Sequence, residues 1–132
     1  RDLVLKNTQV LYDSDAYNDD LPYWIEHKNK QHLIIPYTLD NNDMRFATAQ
    51  GFNTGDDFYN YLKDSFDTLY NESTSTGSSK MMSIGLHCRL IGRPGRFQSL
   101  VKFLNYLNKF NDVWICQRKD IADFWYKNFN DR

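Results

Sequence analysis

Cysteine is scarce in this chain, and its scarcity excludes two classes of protein. The 132 residues hold two cysteines, Cys88 and Cys116. Two cysteines cannot form the disulfide framework typical of a small secreted domain, and their spacing matches no zinc-binding pattern. We therefore predict two buried free thiols, with a bridge between them left open if their strands are neighbours.

Long apolar runs and an excess of basic charge are also missing. The longest apolar stretches, such as Leu33-Ile34-Ile35, are far shorter than the about 20 residues that a membrane-spanning helix needs. Sixteen basic residues stand against seventeen acidic ones, with a net charge of −1. Because no basic stripe is available to neutralise phosphates, the sequence argues against nucleic acid as well as a membrane as a partner.

The start of the chain carries no visible targeting segment. No long apolar stretch is followed there by a small-residue cleavage site, so we expect a cytoplasmic setting. The first residue is Arg1 and not Met. We expect either that a leading segment was removed or that the sequence is a piece of a longer protein.

Aromatic residues, in contrast, are abundant. They make up 16% of the chain, within an apolar fraction of 41% and beside a charged fraction of 25%. This composition is that of a globular protein and not of a disordered one, and we predict a single domain over residues 1–132. The stretch 73–80 is rich in Ser and Thr and lacks apolar anchors, so we predict a flexible loop there.

The first half of the chain predicts short strands and one long helix. A strand at 8–12 runs into an acidic loop. The runs 23–25 and 33–37 flank a polar turn at 28–30, a pattern that predicts a hairpin or two neighbouring strands. A helix is predicted to follow the capping residue Thr54. Its apolar residues recur at helical spacing: Phe58, Tyr61, Leu62, Phe66, Leu69 and Tyr70.

From residue 81 onward the pattern alternates between strands and helices. An apolar stretch at 81–86 predicts a buried strand that ends at His87, and 113–116 predict a last strand. Asp120 is predicted to cap a final helix. The helix between the two strands is predicted from an apolar face formed by Phe97, Leu100, Val101, Leu104 and Leu107.

This alternation predicts an α/β fold with parallel strands and right-handed crossovers, in which ligand chemistry lies at the carboxyl ends of the strands. About four or five strands are too few to close an ordinary (β/α) barrel, which takes about 250 residues. The chain is therefore predicted to be an open sheet or a piece of a barrel.

Five polar side chains fall at predicted strand ends: Asp13, Asp15, Asp40, Asp43 and His87. The acidic run at 12–20 is typical of a solvated loop, but its carboxylates could also bind a polar substrate. His87 could be structural, or its imidazole could give a proton to a leaving nitrogen.

Other side chains, next to His87 and in the first half of the chain, are further candidates. Arg89 could hold an anion or a carbonyl oxygen. Cys88 is not expected to meet His87, because successive strand residues point to opposite faces. His27 and His32 flank a polar turn and are predicted to be surface residues.

Three stretches of the chain are similar to one known family. They are residues 12–24 (YDSDAYNDDLPYW), 35–46 (IPYTLDNNDMRF) and 83–96 (SIGLHCRLIGRPGR), and in this order they resemble the allantoinase-like branch of the polysaccharide deacetylase superfamily. The resemblance implies the C-terminal part of a distorted (β/α) barrel, incomplete in this chain. It also implies hydrolysis of carbon–nitrogen bonds, in N-acetylated sugars or in the hydantoin ring of allantoin.

The resemblance further assigns roles to individual residues. His87 matches the family's histidine that protonates the leaving nitrogen. Asp13, Asp15 and Asp20 match the motif that lines the substrate side, and Arg89 follows the histidine as it does in this branch.

Part of the family pattern has no counterpart. The early motifs, which hold the aspartate base and the histidine pair that binds metal in the deacetylases, are expected to lie before Arg1. We therefore expect no metal held by this chain, with zinc possible only together with the missing N-terminal half. Alone, the chain is expected to be inactive or nearly so, because such residues act as a unit.

Partners and substrate follow from the same resemblance. An open barrel exposes strand edges, so we expect association with the missing half or with a second copy. The substrate is expected to be a small amide, allantoin or a related cyclic amide, with an N-acetylated polysaccharide as the alternative. The rival interpretation is a non-catalytic remnant or binding module of the same fold.

Overall fold

The computed structural model describes residues 1–129, which fall into two compact units. One unit combines Arg1–Tyr37 with the chain from Trp114 onward, and the other is Thr38–Val113. The single domain predicted over 1–132 stays a prediction. Among the described residues, no helix has both the length and the apolar composition needed to cross a bilayer.

The first unit contains a three-stranded sheet in the order β1-β3-β2. Strand β1 is Tyr12–Asp13, β2 is Tyr23–His27 and β3 is Lys30–Ile34. β1 pairs with β3 in parallel, while β2 and β3 form the predicted antiparallel hairpin. Its turn has positive φ at Lys28 and Asn29, 49° and 60°, as a two-residue hairpin turn matched to strand twist requires.

Two helices complete the first unit. Helix α1 covers Asp2–Asn7, and helix α5 covers Arg118–Asn128. The prediction that Asp120 caps this helix is wrong in position. Gln117 is the N-cap residue, and Asp120, the third helical residue, accepts a hydrogen bond from the Gln117 N–H at 2.9 Å.

Arg118, the first residue of α5, ties this helix to the ends of β1 and β3. Its Nη1 donates to the carbonyl oxygens of Ile35 at 2.9 Å and Pro36 at 3.0 Å, and to Ser14 Oγ at 2.9 Å. Burial lowers the pKa of the Arg118 guanidinium from its ordinary value. These hydrogen bonds satisfy backbone carbonyls where the sheet gives way to loops.

In the second unit, helix α2 spans Gly55–Thr76 and confirms the predicted long helix. Thr54 caps it in a capping box with Asp57, and Gly77, with φ of 69°, ends it in the left-handed conformation. The predicted loop at 73–80 is therefore wrong for 73–76, where serine and threonine continue the helix. Hydroxyl bonds back to helix carbonyls, such as Thr76 Oγ1 to the Glu72 oxygen at 2.7 Å, accompany this extension. The flexibility of the stretch stays a prediction.

Helix α4, Pro94–Leu107, packs on α2 through a face that differs from the predicted one. Its buried residues are Ser99, Phe103 and Leu107, whereas Phe97 and Leu104 are 47% and 41% exposed. A Cβ on Gly55 would lie 2.9 Å from the Gly95 oxygen and 3.4 Å from Ser99 Cβ. Small residues thus let the starts of the two helices approach closely. The buried core of this unit is formed by Phe52, Phe58, Leu62, Phe66, Ile91, Phe103 and Leu107.

Two predicted strands do not form as ladders. The stretch 81–86 contributes a single parallel bridge, between Gly85 and Asn42, and 113–116 carry no strand. A strand forms only where a neighbouring segment supplies ladder hydrogen bonds. An apolar run in the sequence is therefore not sufficient to predict a strand. The cysteines also differ from the prediction: both are free, but Cys88 is exposed and Cys116 is half-buried.

Candidate active site

A parallel bridge in the second unit brings Asp43 and His87 together. The Asp43 N–H donates to the Gly85 oxygen at 3.0 Å, and the Gly85 N–H donates to the Asn41 oxygen at 2.9 Å. Two residues after Gly85, His87 is the N-cap of the short helix α3, Cys88–Ile91. Because parallel segments end at the same edge, residues 44 positions apart meet there.

Asp43 holds both the ring and the backbone of His87. Its Oδ1 lies 2.6 Å from His87 Nδ1, and its Oδ2 accepts from the His87 N–H at 2.8 Å and the Ile91 N–H at 3.1 Å. The Asp43 side chain is fully buried, while that of His87 is 30% exposed. One carboxylate therefore fixes the imidazole relative to the start of α3.

The geometry also fixes which ring nitrogen is available for chemistry. An ionised carboxylate only accepts hydrogen bonds, so we assign a proton to His87 Nδ1. The other nitrogen, Nε2, is left to exchange a proton with a ligand. A histidine held by a carboxylate on one nitrogen and free at the other is the arrangement of a general acid or base.

Arg89 and Arg96 lie near His87 in sequence but have different environments. Arg89, in α3, is exposed, and within residues 1–129 its guanidinium has no hydrogen bond or ion pair. Arg96 lies over the Phe46 ring at 4.6 Å and donates to the Leu90 oxygen at 3.4 Å. Arg89 is thus available to a ligand, and Arg96 serves packing.

Asp13, in the first unit, is engaged by two side chains. Arg1 Nε and His32 Nε2 lie 2.8 Å and 3.1 Å from its Oδ2. Burial alone raises the pKa of the Asp13 carboxyl, but hydrogen bonds from Arg1, the Asp15 backbone and His32 lower it by more, so the pKa lies below its ordinary value. Asp13 is therefore positioned to support its loop.

His32 corrects the prediction that it lies on the surface. It is 4% exposed, because it is the third residue of β3 and points to the side on which β1 presents Asp13. His27 is half-buried, with its Nε2 2.8 Å from Asp2 Oδ1. The position of these histidines next to a turn did not indicate which face of the hairpin is buried.

Asp15 and Asp20 are exposed. The Asp15 N–H donates to Asp13 Oδ1 at 3.1 Å, and the Asp20 N–H donates to Asp19 Oδ1 at 2.7 Å. These are local turns stabilised by aspartate side chains. Within residues 1–129, neither carboxylate accepts a hydrogen bond or forms an ion pair. The predicted contact of Asp15 and Asp20 with substrate stays a prediction, as does that of Asp13.

From the sequence alone, Asp43 is predicted to lie at a strand end, but no role is predicted for it. The sequence contains a signal for the Asp43–His87 pair. Both residues lie at the ends of segments that the sequence predicts to run in parallel, so they are expected at the same edge. No group of three or more His, Cys, Asp or Glu side chains in residues 1–129 is arranged to hold a metal ion. The chain's own described residues therefore do not fit a zinc site, and zinc held with the missing half stays a prediction.

Comparisons with known proteins agree on one family. No protein-family model matches the chain. A Schizosaccharomyces pombe protein whose name places it among the polysaccharide deacetylases is 49% identical over 123 residues, which cover 86% of this chain and 38% of the relative. The solved structure of PuuE allantoinase is 53% identical, with a TM-score of 0.91 over 98% of this chain and 43% of that one.

Two further structures extend the likeness. A Pseudomonas aeruginosa PAO1 protein, also named as a polysaccharide deacetylase, is 51% identical, with a TM-score of 0.92 over 100% of this chain and 44% of that one. A Mycobacterium smegmatis structure, at 21% identity and a TM-score of 0.71, shares the fold. The chain spans 38% to 44% of the length of the three more similar proteins, so the predicted fold class, a partial deacetylase-type barrel, is confirmed. The chain belongs to the polysaccharide deacetylase superfamily, in the branch that includes PuuE allantoinase.

Proposed function

We propose that this chain contributes the proton-donating part of an active site that hydrolyses a carbon–nitrogen bond outside peptides. Allantoin or a related cyclic amide is the proposed substrate. The observation that carries the proposal is the 2.6 Å hydrogen bond between the exposed His87 imidazole and buried Asp43. The 53% identity to PuuE allantoinase supports the reaction class and the substrate.

The chemistry requires an acid at the nitrogen. Hydrolysis breaks the bond between the carbonyl carbon and the ring nitrogen, and a water oxygen becomes bonded to that carbon. The departing nitrogen must gain a proton, which the doubly protonated His87 imidazolium supplies from Nε2 while Nδ1 keeps its own proton. The imidazole then regains a proton from the water that was consumed, so the atoms balance. Asp43 holds Nδ1 throughout and keeps Nε2 directed at the substrate.

Arg89 is proposed to bind an oxygen of the substrate. It is exposed and lies two residues after His87, and a guanidinium is suited to hold a carbonyl or carboxylate oxygen. Asp13, Asp15 and Asp20 are proposed to line the substrate side, as their match to the family motif implies.

Alone, the chain is proposed to be inactive or nearly so. An acid without a group to activate water leaves the harder step uncatalysed, because such groups act as a unit. The missing partner is proposed to be the remaining part of a deacetylase-type chain, with any zinc bound only in the complex. The cytoplasmic setting stays a prediction.

The test is to assemble the chain with the part of PuuE allantoinase that it does not span, and to measure allantoate formation. His87→Ala is expected to lower the rate about 10²- to 10⁴-fold, and Asp43→Asn at least about tenfold. The matched control is Asp40→Asn, an exposed carboxylate three residues from Asp43, which should leave the rate unchanged.

A second substrate is tested in parallel because two relatives are named as polysaccharide deacetylases. Release of acetate from an N-acetylglucosamine oligomer, without allantoate formation, would replace the proposed substrate. Hydrolysis that survives His87→Ala would remove the proposed acid. An assembled complex that hydrolyses neither compound would support the non-catalytic rival.

A further inference from the structure

Helix α3 begins directly after His87, but its own sequence gives it little stability. The helix spans the four residues Cys88–Ile91, and the side chain of its N-cap residue, His87, makes no capping hydrogen bond. A single helical turn is unfavourable by itself, because its first hydrogen bond requires the ordering of several residues. The position of His87 therefore depends on contacts that other elements make with α3.

Two charged side chains from other elements hold α3. Asp43 Oδ2 accepts from the His87 N–H at 2.8 Å, ahead of the helix. Arg96 Nη1 donates to the carbonyl oxygen of Leu90, near the helix end, at 3.4 Å. This second hydrogen bond is long, but a cation beside the last carbonyl groups of a helix is favourable. An anion and a cation thus act on opposite ends of one helical turn.

The placement of Arg96 is unfavourable for its own helix. Arg96 is the third residue of α4, Pro94–Leu107, and the first turn of α4 contains no acidic residue. A cation at this end of a helix opposes the helix dipole, and no carboxylate of the same turn compensates it. A residue that breaks a local rule is expected to serve a contact elsewhere. For Arg96, those contacts are the Leu90 oxygen and the Phe46 ring.

The Phe46 ring supports Arg96 on the element that also carries Asp43, the 3₁₀ helix Asp43–Ala47. The guanidinium carbon of Arg96 lies 4.6 Å from the centre of the Phe46 ring. That ring lies 5.5 Å from the ring of fully buried Phe58. Stacking on an aromatic face holds a guanidinium in place and leaves its N–H groups free to donate. Arg96 therefore bridges the two elements that carry the imidazole and its carboxylate.

We infer that Arg96 is a positioning residue for the proposed proton donor: it holds helix α3 against the 3₁₀ helix, which keeps the His87 ring on Asp43. The inference rests on the proposed function for the role of His87, but the arrangement can be tested without hydrolysis. Arg96 acts through the α3 backbone and the Phe46 ring, not through contact with the substrate. A lysine keeps the charge at this position but not the planar, forked contact.

Arg45 supplies a matched control. It lies in the 3₁₀ helix and is half-buried like Arg96. Its guanidinium carbon lies 4.8 Å from the centre of the Phe52 ring and 4.6 Å from that of the Tyr61 ring. Arg45 thus makes the same kind of aromatic contact, but in the described part of the chain its guanidinium has no hydrogen bond to α3. Its loss should affect packing without affecting His87.

The experiment is nuclear magnetic resonance of the imidazole nitrogens and backbone amides of the ¹⁵N-labelled chain at about pH 8, where an ordinary histidine is neutral. In the unmodified chain, we expect the His87 proton on Nδ1. In Arg96→Met, we expect a mixture of both tautomers and amide exchange at His87 and Ile91 at least about tenfold faster, because Asp43 holds these groups less well. Arg96→Lys should show a smaller change. Arg45→Met should leave the tautomer unchanged and these exchange rates within about twofold.

Kinetics separate positioning from substrate binding. In the complex assembled to test the proposed function, Arg96→Met is expected to lower kcat about tenfold and to leave KM within about twofold, because a displaced acid slows proton transfer and not binding. Arg96→Lys should recover part of the loss. A higher KM with unchanged kcat would assign Arg96 to substrate binding and overturn the inference.

The spectra can overturn the inference in three ways. Arg96→Met could leave the His87 tautomer and the two exchange rates unchanged, Arg45→Met could have the same effect, or exchange could quicken equally at Leu62 and Phe66 in α2. The last result would mean that Arg96 only stabilises the unit as a whole. If Arg96→Met does not fold, Arg96→Lys decides: faster exchange confined to residues 87 and 91 supports the inference, and unchanged exchange overturns it. A complex that hydrolyses no amide would count against the proposed function only.

Discussion

The carboxylate of Asp43 bonds to His87 twice, to the ring Nδ1 at 2.6 Å and to the backbone N–H at 2.8 Å. Asp43→Ala removes both carboxylate oxygens and leaves these two donors and the Ile91 N–H without this acceptor group. Because an unsatisfied buried donor costs about 1–3 kcal/mol, we expect the free energy of unfolding to fall by about 2–4 kcal/mol. Urea denaturation of the purified chain measures it.

The control for this change is Asp40→Ala. Asp40 is exposed, and the hydrogen bond at this position is made by its backbone N–H to Thr38 Oγ1. Surface substitutions of this kind are usually within about 0.5 kcal/mol of neutral. Equal losses in the two variants would show that Asp43 is not the anchor described above.

The stability that Asp13 contributes should depend on pH. Its folded pKa is depressed, so the ionised carboxylate stabilises the fold above the unfolded value of about 3.9, and this contribution is lost as pH falls through the lower folded pKa. Asp13→Asn should cost about 1–3 kcal/mol at pH 7, and the difference from the unmodified chain should shrink between about pH 5 and pH 2. Urea titrations at each pH measure it, and a difference that stays constant over this range contradicts the prediction.

The start of α2 depends on one hydroxyl. Thr54 Oγ1 accepts from the Asp57 N–H at 3.2 Å, and Asp57 Oδ2 accepts from the Thr54 N–H at 2.8 Å. The hydrogen bonds from Thr54 hold the pKa of the Asp57 carboxyl below its ordinary value. Thr54→Ala should cost about 1 kcal/mol in thermal or urea unfolding.

The matched control uses the same substitution within the same helix. Thr68 is exposed, and its hydroxyl bonds back to the Asp64 oxygen at 2.8 Å. Since alanine has the better helix propensity, Thr68→Ala should be neutral or slightly stabilising. A loss at Thr68 equal to that at Thr54 would mean that capping is not the cause.

Phe66 is the centre of an aromatic cluster in the second unit. Its ring lies 4.9 Å from Phe110, 5.6 Å from Tyr70 and 6.3 Å from Phe103. Phe66→Ala should cost about 3–5 kcal/mol, because it removes a buried ring and leaves a cavity. Phe97→Ala, at a half-exposed position, should cost about 1 kcal/mol or less. Differential scanning calorimetry compares the two, and similar losses contradict the described packing.

Features that depend on neighbouring residues alone were predictable from the sequence. Helix α2 combines apolar residues at helical spacing with a capping box at Thr54 and Asp57. Both signals depend only on residues a few positions apart in the sequence. The hairpin of β2 and β3 has its polar turn between two β-forming runs. The same local reasoning failed at 73–76, where the apolar pattern stops but the helix continues.

Features that depend on distant partners were not predictable in this way. The burial of His32 and the pairing of Asp43 with His87 depend on which segments become neighbours, which no spacing within one segment specifies. The strand at 113–116 did not form, because a ladder needs a second chain segment as well as an apolar run. The exposure of Phe97 and Leu104 on α4 likewise depends on how this helix packs on α2.

The hydrogen bonds of Arg118 have a consequence for how this protein can change. The guanidinium occupies the carbonyl oxygens of Ile35 and Pro36. The backbone that follows β3 is therefore hydrogen-bonded to the first residue of helix α5. A guanidinium keeps its charge across the pH range in which proteins work, so a change of pH within that range does not release this attachment. Because these backbone groups are occupied, a ligand at this edge would have to be recognised by side chains. Single substitutions can change those side chains without changing the backbone that holds them.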